Sequence, residues 1–322
     1  MFTQKIYKTI LKNKTREIDK KILQIVQSPS IPKKFHPMLM AATEQGRRFR
    51  PLLLIVTNKG VGGKWRSVIE LACAIELLHK ASLIHDDLID GDSLRRGKPT
   101  FWQAYGKRQA IIVGDLMIGL SFETVTQWCS RNNLKQVNPI FKIFTTALNE
   151  TSIGEIFDIQ FESMPDVEYA EIENMTYLKS GSLISASMRI GALTGGASAE
   201  TVETLTRLGN QIGIIFQIIN DKNSITGQDA PSKGTYWNDV IQKKKTFATN
   251  ILQQAGITKE DLKNLPESGL AEVLKLIRSE IDKRIATAAK YIENLPNGFM
   301  KKLFSNLLKE AQEDWFWINV NE

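Results

Sequence analysis

The chain has 322 residues, of which 42% are hydrophobic and 24% charged, with a net charge of +7. These are ordinary proportions for a soluble globular chain, long for one average domain but compatible with a single large helical domain and a sizeable core. Cys73 and Cys129 are the only cysteines, which argues against a disulfide framework and fits a reducing cytosol. The sequence shows no uninterrupted apolar run of about 18 residues and no signal-peptide core, so neither a membrane span nor a leader is expected. The positive charge suits phosphorylated substrates, an anionic membrane or nucleic acid. Lysines spread over both termini make nucleic acid the weaker choice.

Residues 1–28 carry Ile6, Ile10, Ile18, Ile22 and Ile25 among lysines, a spacing that predicts one or two amphipathic helices, broken by Ser28-Pro29-Ser30-Ile31-Pro32. Gly46-Arg47-Arg48-Phe49-Arg50-Pro51 forms a compact cationic turn, with Pro51 suited to the first turn of a helix. Guanidinium groups and free amides there suit a phosphate, although a solvated basic turn is equally open. After a Gly60–Gly63 loop, residues 65–90 read as a long apolar helix, 101–130 as one or two buried helices, and 138–163 as another. Residues 168–195 predict a helix with Lys179-Ser180-Gly181-Ser182 in its middle, and 200–226 predict the next. Gln228 to Trp237 is a polar loop. Residues 246–322 read as three or four shorter helices broken at Gly256, Pro266–Gly269 and Pro296–Gly298. The expectation is one all-α domain over 1–322, with residues 1–30 and 250–322 as its terminal helices.

His85-Asp86-Asp87-Leu88-Ile89-Asp90 closes the long apolar helix. Asp86 and Asp90, four residues apart, share a face, with Asp87 beside them. Acids crowded at an apolar wall are costly unless something positive lies between them. Mg²⁺ suits such carboxylates and completes its shell with substrate phosphates, and Arg95-Arg96 follow a short loop later. The bland alternative is a solvated acidic helix end answered by basic neighbours.

In order, the arginine turn, HDDLID with Arg95-Arg96-Gly97, Gly154-Glu155, Lys179-Ser180 and Phe216-Gln217 resemble the trans-prenyltransferase (polyprenyl diphosphate synthase) family over about residues 35–250. The resemblance implies an all-α isoprenoid synthase fold around a deep apolar cavity, and a chain that commonly pairs as a homodimer. It implies Mg²⁺ held by two aspartate-rich motifs, and an allylic diphosphate that ionises to a cation attacked by isopentenyl diphosphate. By motif position, Asp86, Asp87 and Asp90 would ligate metal, with Arg95, Lys179 and Lys244 on the allylic diphosphate and Gln217 in the catalytic set. Arg47, Arg50, His79 and Arg96 match positions that hold isopentenyl diphosphate, with Arg47 in place of the usual lysine.

The second motif departs from the family pattern. Asn220, Asp221 and Ser224 stand where three aspartates are usual, so the position stays oxygen-rich but loses two charges. This segment is similar to the second metal motif of terpene cyclases, although Gln228 stands where those usually carry a glutamate. Three readings follow: a prenyltransferase that joins the allylic diphosphate to isopentenyl diphosphate or to an unusual acceptor, a prenyltransferase-like cyclase, or a non-catalytic partner subunit. In this family an aromatic residue four or five positions before the first aspartate floors the cavity. Ala81 and Ser82 are small there, so an allylic chain of C15 or longer is expected, with Leu77 and Leu78 as candidate closures one turn deeper.

Overall fold

The computed structural model describes residues 2–44, 46–132, 134–226, 242–254, 256–257 and 267–312. Helices dominate it. The amphipathic N-terminal segment is one helix, α1 (Phe2–Val26), and α2 (His36–Glu44) follows the proline-rich break. The arginine turn feeds α3 (Phe49–Gly60), whose residues from Phe49 to Asn58 are all buried. The apolar helix α4 (Ile69–Ile89) is hydrophobic nearly all round, which is what a helix enclosed by neighbours requires.

Next come α5 (Phe101–Tyr105), α6 (Lys107–Ser130), α7 (Leu134–Phe161), α8 (Tyr169–Thr176), α9 (Ser182–Thr194) and α10 (Ala199–Thr226). The chain then forms α11 (Phe247–Gln254), α12 (Glu267–Glu293) and α13 (Phe299–Gln312). The expected break at Pro266–Gly269 is narrower than the sequence suggested, because α12 already begins at Glu267. A glycine inside a helix is tolerated at a cost of about 1 kcal/mol. The polar loop at 228–237 and the aromatic Trp315-Phe316-Trp317 lie outside the described residues.

Helix α4 packs on α6 and α3, α3 on α9, and α9 on α10, while α7 lies against α9 and touches α4 and α6. These helices form a ring. Buried apolar side chains of the ring and of the terminal helices make one cluster running from Ile18 to Ala311. Helix α6 is long and apolar enough to cross a membrane by length and composition alone, and in this fold it gives one face to α4.

Two local features set the ring's open end. The predicted helix over 168–195 is interrupted by a π-helical turn, Tyr177–Gly181, which widens the backbone at Lys179. Helix α7 approaches this turn at Gly154, where a Cβ would lie 2.3 Å from the Lys179 amide nitrogen. Only glycine fits there. After α4, strands β1 (Leu94–Arg95) and β2 (Lys98–Pro99) form a minimal antiparallel pair. Its two-residue loop has positive φ at Arg96 (55°) and Gly97 (74°), as a type I′ turn requires.

Candidate active site

The ring encloses a cleft of about 1320 Å³, reached by α3, α4, the β turn, α6, α7, the π turn and α10. Its deeper wall is apolar, with Leu78, Ala81, Ile118, Leu148, Met175 and Phe216 among its lining. Phe216 stacks on Phe49, ring centroids 5.8 Å apart, which ties the arginine turn to α10. Ala81 and Ser82 both line the cleft, and the Ser82 hydroxyl donates to the His79 carbonyl. Leu78 reaches the cleft too, whereas Leu77 is buried elsewhere in the core.

The mouth is acidic on one side. Asp86, Asp90, Glu155 and Asp158 converge there from α4 and α7, and two lysines are threaded among them. Lys179 Nζ lies 3.1 Å from Asp86, 2.8 Å from Glu155 and 2.6 Å from Asp158. Lys244 Nζ lies 2.6 Å from Asp90, 3.0 Å from Asp158 and 2.7 Å from Glu162. Arg95 Nε donates to Asp87 at 2.6 Å, and its Nη2 reaches Asp86 at 3.4 Å.

Burial would raise the Asp86 carboxyl, but Lys179 and Arg95 outweigh it and hold it well below the usual carboxylate range. For Asp87 burial prevails over Arg95 and pushes the carboxyl up to about 7. Both lysines are raised by these carboxylates despite burial, so they stay charged.

A divalent cation fits the chemistry of this set. Asp90, Glu155 and Asp158 bring carboxylate oxygens within 4.8 Å of one another, and Glu155 Oε1 is buried with no hydrogen-bond partner among the described residues. Glu155 and Asp158 were not singled out as ligands from the sequence. The available signal was the i, i+3 spacing of two acids beside Gly154, which placed them on one face of α7.

Across the cleft, the second motif is reorganised. Asn220, Asp221 and Asn223 line it, but Ser224 does not; Ser224 is 2% exposed and packed away. Ser224 lies at an angle between Asn220 and Gln217 on α10, so it leaves the cleft by its position one turn further along the helix and not by facing away. Gln217 bridges the region: its amide donates to Asp221 Oδ1 at 2.8 Å, and its carbonyl accepts from Ser180 at 2.9 Å.

The other side of the mouth is cationic. Arg47, Arg50, Arg96 and His79 line it together, from three separate stretches of chain. Arg50 Nη1 donates to His79 Nε2 at 3.1 Å, so the ring accepts there as a neutral imidazole. Burial and then Arg50 push His79 well below its ordinary value, which agrees. Burial, Arg95 and Arg47 lower Arg96. Cations that repel one another in a buried pocket are relieved when an anion binds among them.

Residues 32–278 match the polyprenyl synthetase family. The chain belongs to that family. It is 32% identical over 244 residues to a geranylgeranyl diphosphate synthase of Sulfolobus acidocaldarius, covering 76% of this chain and 73% of the relative. A geranylgeranyl diphosphate synthase of Methanosarcina mazei matches at 28% over 292 residues, covering 91% and 88%. The solved geranylgeranyl pyrophosphate synthetase of Pyrococcus horikoshii superposes with a TM-score of 0.80 at 26% identity, over 97% of this chain and 99% of that one. The all-α isoprenoid synthase fold and the prenyltransferase class expected from the motifs therefore hold.

Proposed function

We propose that this prenyltransferase joins an allylic diphosphate of C15 or longer to isopentenyl diphosphate with Mg²⁺, in a reducing cytosol. The observation that carries this reading is the second cationic set, Arg47, Arg50, His79 and Arg96, facing the acidic mouth across one apolar-walled cleft. A cyclase ionises a single diphosphate and has no use for a second anion pocket.

In this reading Asp86, Asp87 and Asp90 hold the metal, with Asn220 and Asp221 weaker in charge opposite them. Glu155 and Asp158 extend the acidic set. Bound Mg²⁺ would neutralise the diphosphate as its carbon–oxygen bond breaks. Lys179, Lys244 and Arg95 are shared among carboxylates at the mouth and would stabilise the departing oxygens as charge develops. Gln217 couples Ser180 to Asp221 and so keeps α10 in register with the π turn. Leu78, Ala81, Leu148 and Phe216 keep water from the allylic cation. Arg47, Arg50, His79 and Arg96 hold the acceptor diphosphate with its double bond toward that cation.

A homodimer is part of the proposal. Ile111, Ile112 and Leu116 on α6, with Phe141 and Ile153 on α7, are exposed apolar side chains that a second copy would cover.

Incubation with geranyl, farnesyl or geranylgeranyl diphosphate and Mg²⁺, with and without isopentenyl diphosphate, tests the function. Elongated diphosphates that need isopentenyl diphosphate are expected. Hydrocarbons formed without it would point to a cyclase, and no turnover with any combination to a non-catalytic subunit.

A further inference from the structure

Beyond the arginine turn the cleft continues as a small polar recess bounded by Asp19, Glu44, Gly46, Arg48, Glu76 and Lys80. Lys80 is 5% exposed, yet its ammonium forms no hydrogen bond or ion pair with any described residue. The nearest carboxylate is already engaged. Glu76 Oε1 accepts from Arg48 Nη1 at 2.8 Å, and Arg48 is held further by Asp19 at 2.7 Å and the Thr43 carbonyl at 2.7 Å. Lys80 is therefore not needed to neutralise Glu76.

The packing here is close. Gly46 has φ 140°, and a Cβ on it would lie 3.0 Å from Arg48 Nη1, 3.2 Å from Lys80 Nζ and 3.3 Å from Glu76 Oε1. The turn that bears Arg47 thus lies directly over Lys80. Asp19 faces this recess from α1, Glu44 from α2, Arg47, Arg48 and Arg50 from the turn, Glu76 and His79 from α4, and Arg95 and Arg96 from the β turn. Arg95 is answered by Asp87 and Asp86, and Arg48 by Asp19 and Glu76, whereas Arg50 and Arg96 form no ion pair among the described residues and leave this side short of negative charge. Burial holds Lys80 down at about 7, against Glu76, while Arg48 and Arg96 lower it further. The Lys80 side chain is buried but its ammonium is open to the cleft, and with no partner among the described residues it lies where an anion held by the arginines would meet it.

We propose that Lys80 is a further cation of the acceptor diphosphate pocket, largely neutral while the pocket is empty and protonated when the diphosphate arrives, so that acceptor binding takes up a proton. This rests on the reading of Arg47, Arg50, His79 and Arg96 as that pocket. The sign is determined by charge: an arriving anion favours the ammonium, so above neutral pH the complex holds more protons than its separated parts.

Calorimetric titration of the full chain with isopentenyl diphosphate, without Mg²⁺ or allylic substrate, tests it. At about pH 8, two units above the ~6 of a terminal phosphate's second ionisation, the ligand itself exchanges little. Measured in two buffers of different ionisation heat, the wild type should take up most of one proton, and its affinity should fall up to about tenfold per pH unit above neutrality. Lys80→Met should bind about tenfold more weakly at neutral pH and take up none. Binding without proton uptake, or equal uptake by wild type and Lys80→Met, would overturn the role of Lys80 while leaving the acceptor pocket intact. Arg50→Ala, which should lose binding, separates the two ideas: no binding by the wild type, or binding undiminished in Arg50→Ala, overturns both. If Lys80→Met does not fold, Lys80→Arg, which stays charged, should bind without proton uptake, and uptake equal to the wild type's would overturn the role of Lys80.

Discussion

Asp158 Oδ2 accepts a hydrogen bond from Lys179 Nζ at 2.6 Å, and the same oxygen accepts from Lys244 at 3.0 Å. One carboxylate on α7 therefore positions two lysines that arrive from distant parts of the chain. Asp158→Asn preserves the volume and removes the charge both lysines answer to. We expect kcat/KM for the allylic substrate to fall about ten- to a hundredfold, with KM for isopentenyl diphosphate little changed. Steady-state kinetics with each substrate varied in turn checks this, and equal losses for both would contradict it.

Ala81 is buried in α4 and lines the apolar wall of the cleft. Ala81→Phe should fill part of that wall and shorten the product, at a stability cost of about 1–3 kcal/mol from overpacking. Chromatography of the products reads the first effect and thermal unfolding the second. An unchanged product distribution would remove Ala81 from the chain-length floor.

The second motif offers a contrast between two substitutions that look equivalent in sequence. Asn220 lines the cleft and Ser224 is buried behind it. Asn220→Asp should lower the Mg²⁺ concentration needed for half-maximal activity, by roughly tenfold for one added carboxylate. Ser224→Asp should instead bury a new charge and lower stability by about 2–4 kcal/mol without improving metal dependence. Mg²⁺ titrations of activity, paired with denaturant unfolding, separate these outcomes.

Lys80 also has a consequence for the free protein. Its folded value of about 7 lies below the ordinary 10.5, so between those pH values the unfolded chain binds more protons than the folded one. Stability should therefore rise with pH across that window, by up to about 1.4 kcal/mol per unit. Lys80→Met should be more stable than wild type by roughly 3–5 kcal/mol near pH 7, with the difference shrinking toward pH 10. Denaturant midpoints at about pH 7 and 9 measure it. A variant no more stable than wild type at pH 7 would show that the buried ammonium carries no such cost.

Much of the architecture was legible because helical periodicity is local. The apolar run before Asp86 specified an enclosed helix, and the acid and arginine clusters marked the chemistry at its end. Spacing alone also put Asp86, Asp87 and Asp90 at one helix terminus. What spacing could not supply was the partner of each charge. Glu155 and Asp158 became part of the acidic mouth only because Gly154 lets the π turn close on α7 and bring Lys179 to them.

The opening and closing of the cleft were likewise decided in three dimensions. Residue separation put Asn220 and Ser224 on one face of α10, and they do share it, but only Asn220 reaches the cleft, because Ser224, one turn further along, is buried. Nothing in the sequence distinguished Lys80 from a solvated lysine; its burial, with no partner among the described residues, follows from the packing of the arginine turn over α4. By itself the sequence determined the helices, the family and the charged motifs, because these depend on residues near one another in the chain. Only the tertiary structure decided which charges meet, because a buried charge takes its partner from whichever element packs against it.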